Sequence, residues 1–205
     1  MNDNTELSNS SNIQHQSDQS KKTRSVTFRL DSSILDELQH EADQREISLN
    51  VSVNQILKRY CQWDRYESRI GMMPVPKIML SYCIDKAISI AKNNGIQIES
   101  YRDEIIKQAA GIAFGLMKDS VLFMKKNFNL WVVLSVLEEY MKVSGIKADH
   151  KIEAGRKHVF VIQHELGENW SLFTKELLTL IFENLAKVRI ECNITSNTAI
   201  AEVIL

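Results

Sequence analysis

Residues 24–60 read RSVTFRLDSSILDELQHEADQREISLNVSVNQILKRY, and they carry the strongest structural signal in the chain. At the start of this segment three apolar residues alternate with three polar ones, namely Val26, Phe28 and Leu30 with Ser25, Thr27 and Arg29. Side chains two positions apart lie on the same face of a strand. The pattern therefore predicts a short β-strand with one apolar face and one hydrogen-bonding face.

Two amphipathic helices are predicted directly after this strand. Asp31 or Ser32 is suited to cap the first helix, and Ser48 to cap the second. The apolar stripe of the first helix consists of Ile34, Leu35, Leu38 and Ala42, and that of the second of Leu49, Val53, Ile56, Leu57 and Tyr60. The segment thus reads as strand, helix, tight turn, helix.

Strand and helices are preceded by a polar tail that ends in basic residues. Residues 1–22 contain almost no apolar side chains, so we expect this tail to be disordered. Lys21, Lys22, Arg24 and Arg29 place four positive charges within nine residues, with no acidic residue among them. Such a cluster is suited to contact DNA phosphates.

The order and spacing of residues 23–62 resemble the ribbon-helix-helix family of DNA-binding repressors. In that family two chains pair their strands into an antiparallel ribbon that lies in the major groove of DNA. The resemblance implies that Ser25, Thr27 and Arg29 contact bases and that Ser48, Leu49 and Asn50 contact a phosphate. Many members have glycine in the turn between the helices, whereas this chain has Glu46.

Elementary chemistry supports the same roles for these residues. Arginine can donate two hydrogen bonds to guanine, and serine and threonine can bond to base edges with less discrimination. The free N–H groups at a helix N-terminus attract a phosphate. A unit of about forty residues buries too little surface to fold alone, so an intertwined homodimer and a palindromic DNA site are expected.

Residues 63–77 are predicted to form an extended linker, because they contain both prolines of the chain, Pro74 and Pro76. Helices are predicted at 77–93, ending before Gly95, and at 101–126, with Ser100 as a cap. Gly111 and Gly115 are spaced so that two helices could approach closely at this point. Residues 78–205 would then form a C-terminal α+β domain for dimerisation or signal sensing.

From residue 130 onward the pattern reads α-β-β-α-β-β, which predicts four antiparallel strands beneath helices. Two-residue turns are predicted at 154–155 and at 196–197. On that assumption the helix-covered face would consist of Ile146, Ala148, His150, Ile152, Val159, Val161, Val188, Ile190, Cys192, Ile194, Ala199, Ala201 and Val203. The opposite face would expose Phe160, Ile162, Ile200 and Ile204, covered by a second subunit, a small molecule or a helix from residues 77–126.

No catalytic, cofactor or metal site is predicted. With a two-residue turn, His150 and Cys192 lie on one face and His158 and His164 on the other, so these four side chains cannot converge on a metal. The group His164, Glu165 and Glu168 lacks a nucleophile, and Gly167, Asn169 and Trp170 have simpler roles in turning, capping and packing. The chain is therefore not expected to be an enzyme.

Composition is consistent with a protein of the cytoplasm. The chain has 205 residues, 44% of them hydrophobic and 25% charged, and a net charge of −1. Its uncharged runs are too short to span a bilayer, and the N-terminal residues lack the apolar core of a signal peptide. Three widely spaced cysteines favour reduced thiols over disulfides.

The sequence therefore leads to one main hypothesis, a homodimeric, sequence-specific DNA-binding transcription regulator with an unidentified small-molecule effector. Two alternatives remain open: an antitoxin-like protein that binds a partner protein through its C-terminal part, and an enzyme with a DNA-binding appendage.

Overall fold

The computed structural model describes residues 23–71, 75–95 and 97–205. The fold class is α+β, as predicted, because helices are combined with a four-stranded antiparallel sheet. The helices are α1 Ser32–Gln44, α2 Leu49–Arg59, α3 Arg65–Glu67, α4 Lys77–Asn93, α5 Ile98–Lys125, α6 Leu130–Val143 and α7 Glu168–Leu185. The strands are β1 Lys147–Glu153, β2 Lys157–Gln163, β3 Glu191–Ile194 and β4 Thr198–Ile204. The chain divides into two compact units, residues 1–55 and 56–205.

The described part of the first unit buries very little of its apolar surface. Within residues 23–55 only Ala42 and Ser52 are fully buried. At the start of the predicted stripe of α1, Ile34 is 47% exposed and Leu35 is 41% exposed. Residues 23–31 form neither helix nor strand within the single chain. The predicted two-chain ribbon requires a second copy of this segment and stays a prediction.

Both predicted helices of this unit are present, and the turn between them has a defined geometry. The Glu46 N–H donates to the Asp43 carbonyl at 3.1 Å, and the Ile47 N–H donates to the Ala42 carbonyl at 3.0 Å. These two bonds form a Schellman motif, whose residue after the C-cap adopts a left-handed conformation. Glu46 occupies that position with φ of 54°, so a non-glycine residue makes the turn here at a conformational cost.

The predicted extended linker is wrong for its first residues. Residues Tyr60–Asp64 form a π-helical turn that leads into the short helix α3. Trp63 is buried in the core of the second unit, and its Nε1 donates to Glu67 at 2.9 Å. Burial of one large aromatic side chain thus keeps this segment helical. Residues 72–74 of the predicted linker lie outside the described residues.

Helix α4 has the predicted bounds, whereas α5 begins at Ile98 without a side-chain cap, so the cap predicted at Ser100 is wrong. Helix α5 packs against α4, α6 and α7. Gly111 and Gly115 do not mediate that packing, because a Cβ built at either position meets no atom within 4 Å. The predicted close helix approach is therefore not present among the described residues, and this side of α5 exposes Ile112 and Leu116.

Helices α6 and α7 cover one face of the sheet, whose strand order is β1-β2-β4-β3. The second hairpin has the predicted register, since Ile194 pairs with Ala199 and Cys192 with Ala201. Ala199, Ala201 and Val203 are buried on the helix-covered face, as expected. Strand β3 begins only at Glu191, four residues later than predicted.

The first hairpin has a register that differs from the prediction by one residue. Glu153 pairs with Lys157, so three residues rather than two form the loop. Ala148, His150 and Ile152 therefore share a face with His158, Phe160 and Ile162. Phe160 and Ile162 belong to the buried core, and the expectation that they lie on the open face is wrong.

The opposite face of the sheet carries four apolar side chains, namely Val159, Val161, Ile200 and Ile204. Val159 is buried at 9% exposure, whereas Ile204 at the end of β4 is 72% exposed. Helix α4 packs on α5 and α7, and α5 packs on α6 and α7, so neither described helix of residues 77–126 covers this face. The ion pair between Lys157 and Glu202, at 2.9 Å, also lies on this side.

Over the described ranges, no single helix is both long enough and apolar enough to cross a membrane. Helices α5 and α6 meet that condition only when taken together, and they are bent by 100° at their junction.

Replacement of Glu46 by glycine is expected to stabilise the first unit. Glycine adopts the left-handed conformation without steric penalty, so Glu46→Gly should raise the local free energy of unfolding by about 1 kcal/mol. Hydrogen exchange of the α1 amides in the full-length protein measures this change. The matched control is Glu37→Gly, in the exposed interior of α1, which should lower it by about 1 kcal/mol. Faster exchange in both variants would contradict the strained turn.

Candidate functional site

The three predicted base-contacting residues lie in the extended segment that precedes α1. Ser25, Thr27 and Arg29 are all exposed, and so is Arg24 beside them. The alternate apolar row is exposed as well, with Val26 at 69%, Phe28 at 62% and Leu30 at 50%. Among the described residues of a single chain, both rows are therefore exposed to solvent. Contact with water is favourable for the polar side chains and unfavourable for the apolar ones. Lys21 and Lys22 lie outside the described residues.

The predicted phosphate-contacting residues form the N-terminus of α2. Ser48 caps this helix as predicted, because its Oγ accepts a hydrogen bond from the Val51 N–H at 3.3 Å. The N–H groups of Leu49 and Asn50 occupy the first two helical positions, which have no acceptor within a helix. The first turn of α2, which is fully described, contains no acidic residue. An anion at this helix end would thus meet free N–H groups and the favourable end of the helix dipole.

A second candidate group of side chains lies in the C-terminal unit, and its two histidines were predicted to lie on opposite faces of the sheet. The three-residue hairpin loop brings His150 and His158 together, with 2.9 Å between His150 Nε2 and His158 Nδ1. The His150 ring stacks on Phe160 with 4.2 Å between centroids, and Trp131 lies 5.3 Å from the His158 ring. Burial and the neighbouring His158 lower the pKa of His150, against the opposing effect of Glu138 and Asp149.

This histidine pair has few further metal ligands around it. Among the described residues, no group of three or more His, Cys, Asp or Glu side chains is arranged to hold a metal ion. Cys192 lies on strand β3, which pairs with β4 and not with either strand of the histidine pair. The prediction that His150 and His158 lie on opposite faces is nevertheless wrong, because it assumed a two-residue turn between β1 and β2.

His164 is fully buried and has a structural role. The Leu166 N–H donates to His164 Nδ1 at 3.0 Å, so the ring proton lies on Nε2, which donates to Ser171 Oγ at 2.8 Å. Both ring nitrogens are therefore occupied within the protein. Burial lowers the pKa of His164, and the positive charge of Lys77 lowers it further.

The residues that follow His164 connect β2 to α7 and contact helix α4. Glu165 forms an ion pair with Lys77 at 3.5 Å, and Gly167 precedes α7 with φ of 86°. Asn169 was expected to cap α7, but its side chain instead donates to Asp85 on α4 at 2.8 Å. The backbone directly before α7 has a positive φ at Gly167, and glycine is the residue that adopts a positive φ without steric cost.

Sequence reasoning missed the contribution of α6 to the histidine cluster. Trp131 and Glu138 lie on that helix and line a cavity together with His150 and Phe160. Their spacing of seven residues places them on one helix face, which was the available signal. The sequence did not show which side chains of β2 face α6, because this depends on the length of the loop between β1 and β2.

Comparisons with known proteins add no relative: no protein-family model matches the chain, and no curated protein sequence is significantly similar to it.

Acidification is expected to destabilise the protein through His164. Its pKa in the folded state is below the unfolded value, so its contribution to stability is present above the unfolded pKa of 6.5 and is lost as the pH falls below it. Urea unfolding at pH 7.5 and pH 5.5 should show a lower free energy of unfolding at pH 5.5. In His164→Asn this difference should shrink, whereas it should persist in the control His40→Asn, which changes a histidine on α1. An unchanged pH dependence in His164→Asn would exclude this origin.

Proposed function

We propose that the protein is a sequence-specific DNA-binding regulator that acts as a homodimer through a ribbon-helix-helix unit formed by residues 23–62. The observation that carries this proposal is the pair of alternating rows before α1. The described residues of one chain leave the apolar row exposed, whereas the polar row needs no cover. Pairing the segments of two chains would bury the first row and leave the second free for a DNA groove.

The energetics of the first unit support the same arrangement. Full burial of a valine, leucine or phenylalanine side chain stabilises a fold by about 1.5–3 kcal/mol. Residues 26, 28 and 30 obtain little of that stabilisation in a single chain, since each is at least half exposed. A second copy of the chain offers an identical apolar row. Two such rows can pack against each other around a two-fold axis, as a self-complementary dimer interface requires.

The N-terminus of α2 supplies the second part of the proposed interface. In a two-fold dimer this helix end occurs once on each side of the ribbon, with the free amides of Leu49 and Asn50 available to a phosphate. Phosphate contacts fix the position of a protein on the duplex, while base contacts supply sequence preference. Ser48, Leu49 and Asn50 would thus place the ribbon, and Ser25, Thr27 and Arg29 would read the groove.

Selection of bound duplexes from a random pool, with the full-length protein, tests the function directly. We expect enrichment of palindromic sequences, because a two-fold dimer presents the same side chains to two half-sites. Absence of any enriched sequence would contradict a sequence-specific regulator and would favour a protein partner for the chain.

Two arginine substitutions separate base reading from phosphate contact. Arg29→Ala should weaken binding to the selected duplex by about 1–3 kcal/mol relative to random duplex, because a bidentate contact to guanine is lost. Arg24→Ala is the matched control and should weaken both duplexes to the same extent, as a phosphate contact would. Competition binding at one fixed salt concentration provides both values. Equal losses for Arg29→Ala on the two duplexes would remove its role as a base reader.

The two faces of the segment are separated by a second pair of substitutions. Phe28→Ser should remove about 2 kcal/mol of burial per chain, so the α1 amides should exchange faster with solvent and DNA binding should be lost. Thr27→Ala should leave this exchange unchanged and lower only the preference for the selected duplex. Hydrogen exchange and DNA binding of the full-length variants are compared side by side. Slow exchange in Phe28→Ser would show that the apolar row is not covered in the dimer.

A further inference from the structure

A cavity of about 160 Å³ lies in the C-terminal unit between α6 and the β1–β2 hairpin. Its floor consists of apolar side chains, of which Leu137, Met141, Ile162 and Leu178 are buried. A cavity of about 150 Å³ with such a lining holds one benzene ring. Size and lining therefore fit a ligand with a single ring. The cavity opens to solvent beside Ser135 and Asp149, which are both exposed.

One wall of the cavity is built from flat aromatic rings. His150 and Phe160 are nearly parallel, with 6° between their planes, and Trp131 is inclined by 33° to His150. The hydrogen bond between His150 Nε2 and His158 Nδ1 fixes the orientation of the imidazole. Trp131 is 51% exposed, so one part of its indole ring is accessible beside this wall. Such a wall favours a planar ring, which gains from offset stacking in addition to burial.

The charge of the cavity selects the kind of ring. Its lining contains the carboxylates of Glu138 and Asp149 and no lysine or arginine. Asp149 is paired with Lys151 at 3.5 Å, whereas Glu138 forms no ion pair within the described residues. Lys142 and Lys147 line the adjoining cleft on the other side of Glu138 and not the cavity itself. A carboxylate beside an apolar, aromatic pocket attracts a cation through its charge and through the rings.

We propose that this cavity binds a small, flat, positively charged ring compound of the aryl-amidine or arylalkyl-amine class. The ring lies against Phe160, His150 and Trp131, and the cationic group points to Glu138 at the mouth. The binding site is complete within the C-terminal unit, so this proposal does not depend on the DNA-binding function of the first unit.

Titration of the full-length protein with three probes of similar size tests the charge preference. Benzamidine is the cation, benzyl alcohol the neutral ring and benzoate the anion. We expect benzamidine to bind with a dissociation constant about fivefold lower than that of benzyl alcohol, since a partly exposed ion pair contributes up to about 1 kcal/mol. Benzoate should bind most weakly. Trp131 fluorescence and the ring signals of His150 in NMR spectra report occupancy at the cavity itself, with Trp131→Phe used to assign the fluorescence change.

Variants of the cavity provide the decisive controls. Glu138→Gln should remove the advantage of benzamidine over benzyl alcohol, whereas the neighbouring Glu139→Gln on the same helix should keep it. Ala148→Phe and, independently, Ser135→Phe at the exposed mouth should fill the cavity and reduce binding of benzamidine at least tenfold. The proposal is overturned if benzoate binds as tightly as benzamidine, if Glu138→Gln and Glu139→Gln behave alike, or if the two filled variants still bind. Absence of any probe binding at 10 mM, a concentration on the order of the weakest affinity expected of a fragment of this size, also overturns it.

Discussion

The three-residue loop between β1 and β2 is the constraint on which the C-terminal unit depends. Ala154 and Gly155 both have positive φ, at 47° and 74°, and together with Arg156 they set the pairing of Glu153 with Lys157. Side chains alternate along a strand, so a loop one residue shorter would reverse the faces of one strand relative to the other. Phe160 and Ile162 would then leave the core, and His150 would lose contact with His158. The composition of the core, the contact between the two histidines and the lining of the cavity thus all depend on the length of this loop.

The sequence predicted an element correctly where its residues were compatible with one arrangement only. It failed where two arrangements, such as burial of either face of a strand, were equally compatible with the residues. The bounds of α4 and the register of the β3–β4 hairpin were predicted correctly, because Pro76 and Gly95 flank α4 and the polar pair at 196–197 forms the turn of the hairpin. Residues 159–162 of β2 are all apolar, so either face of this strand could be buried, and alternation gave no answer. The close approach predicted at Gly111 and Gly115 failed for a related reason. Small residues permit an approach, but their spacing does not determine whether another helix lies opposite.

The candidate sites differ in the same way. Ser25, Thr27 and Arg29 follow from a local pattern of six residues, and Ser48 from the beginning of a helix, so the sequence alone indicates them. The cavity combines α6 with a hairpin that follows it, and its composition depends on a loop geometry that no local pattern specifies. Sites within one element are therefore visible in a single sequence, whereas sites between elements require the fold.

The apolar residues exposed in the first unit connect its stability with its proposed function. Two helices with only Ala42 and Ser52 buried cannot offset the entropy lost on ordering the backbone, which is about 1–2 kcal/mol per residue. In the proposed dimer, folding of this unit would be coupled to association, and by mass action it would depend on protein concentration. A DNA duplex that binds only the paired ribbon would stabilise the pair further. Order, dimerisation and DNA binding would thus be three parts of a single equilibrium.

In the proposed regulator, electrostatics would determine which part of the chain approaches DNA. The four basic residues between positions 21 and 29 leave the rest of the chain with 21 basic and 26 acidic side chains, so the remainder carries a net charge of −5. A duplex repels this acidic remainder and attracts the basic segment, and a dimer doubles the attraction at one place. Each neutralised phosphate contributes about −0.9 to the slope of the logarithm of the binding constant against that of the salt concentration. Six phosphate contacts from Lys21, Lys22 and Arg24 of two chains would thus give a slope of about −5, while the base contacts of Arg29 would add sequence preference with little further dependence on salt.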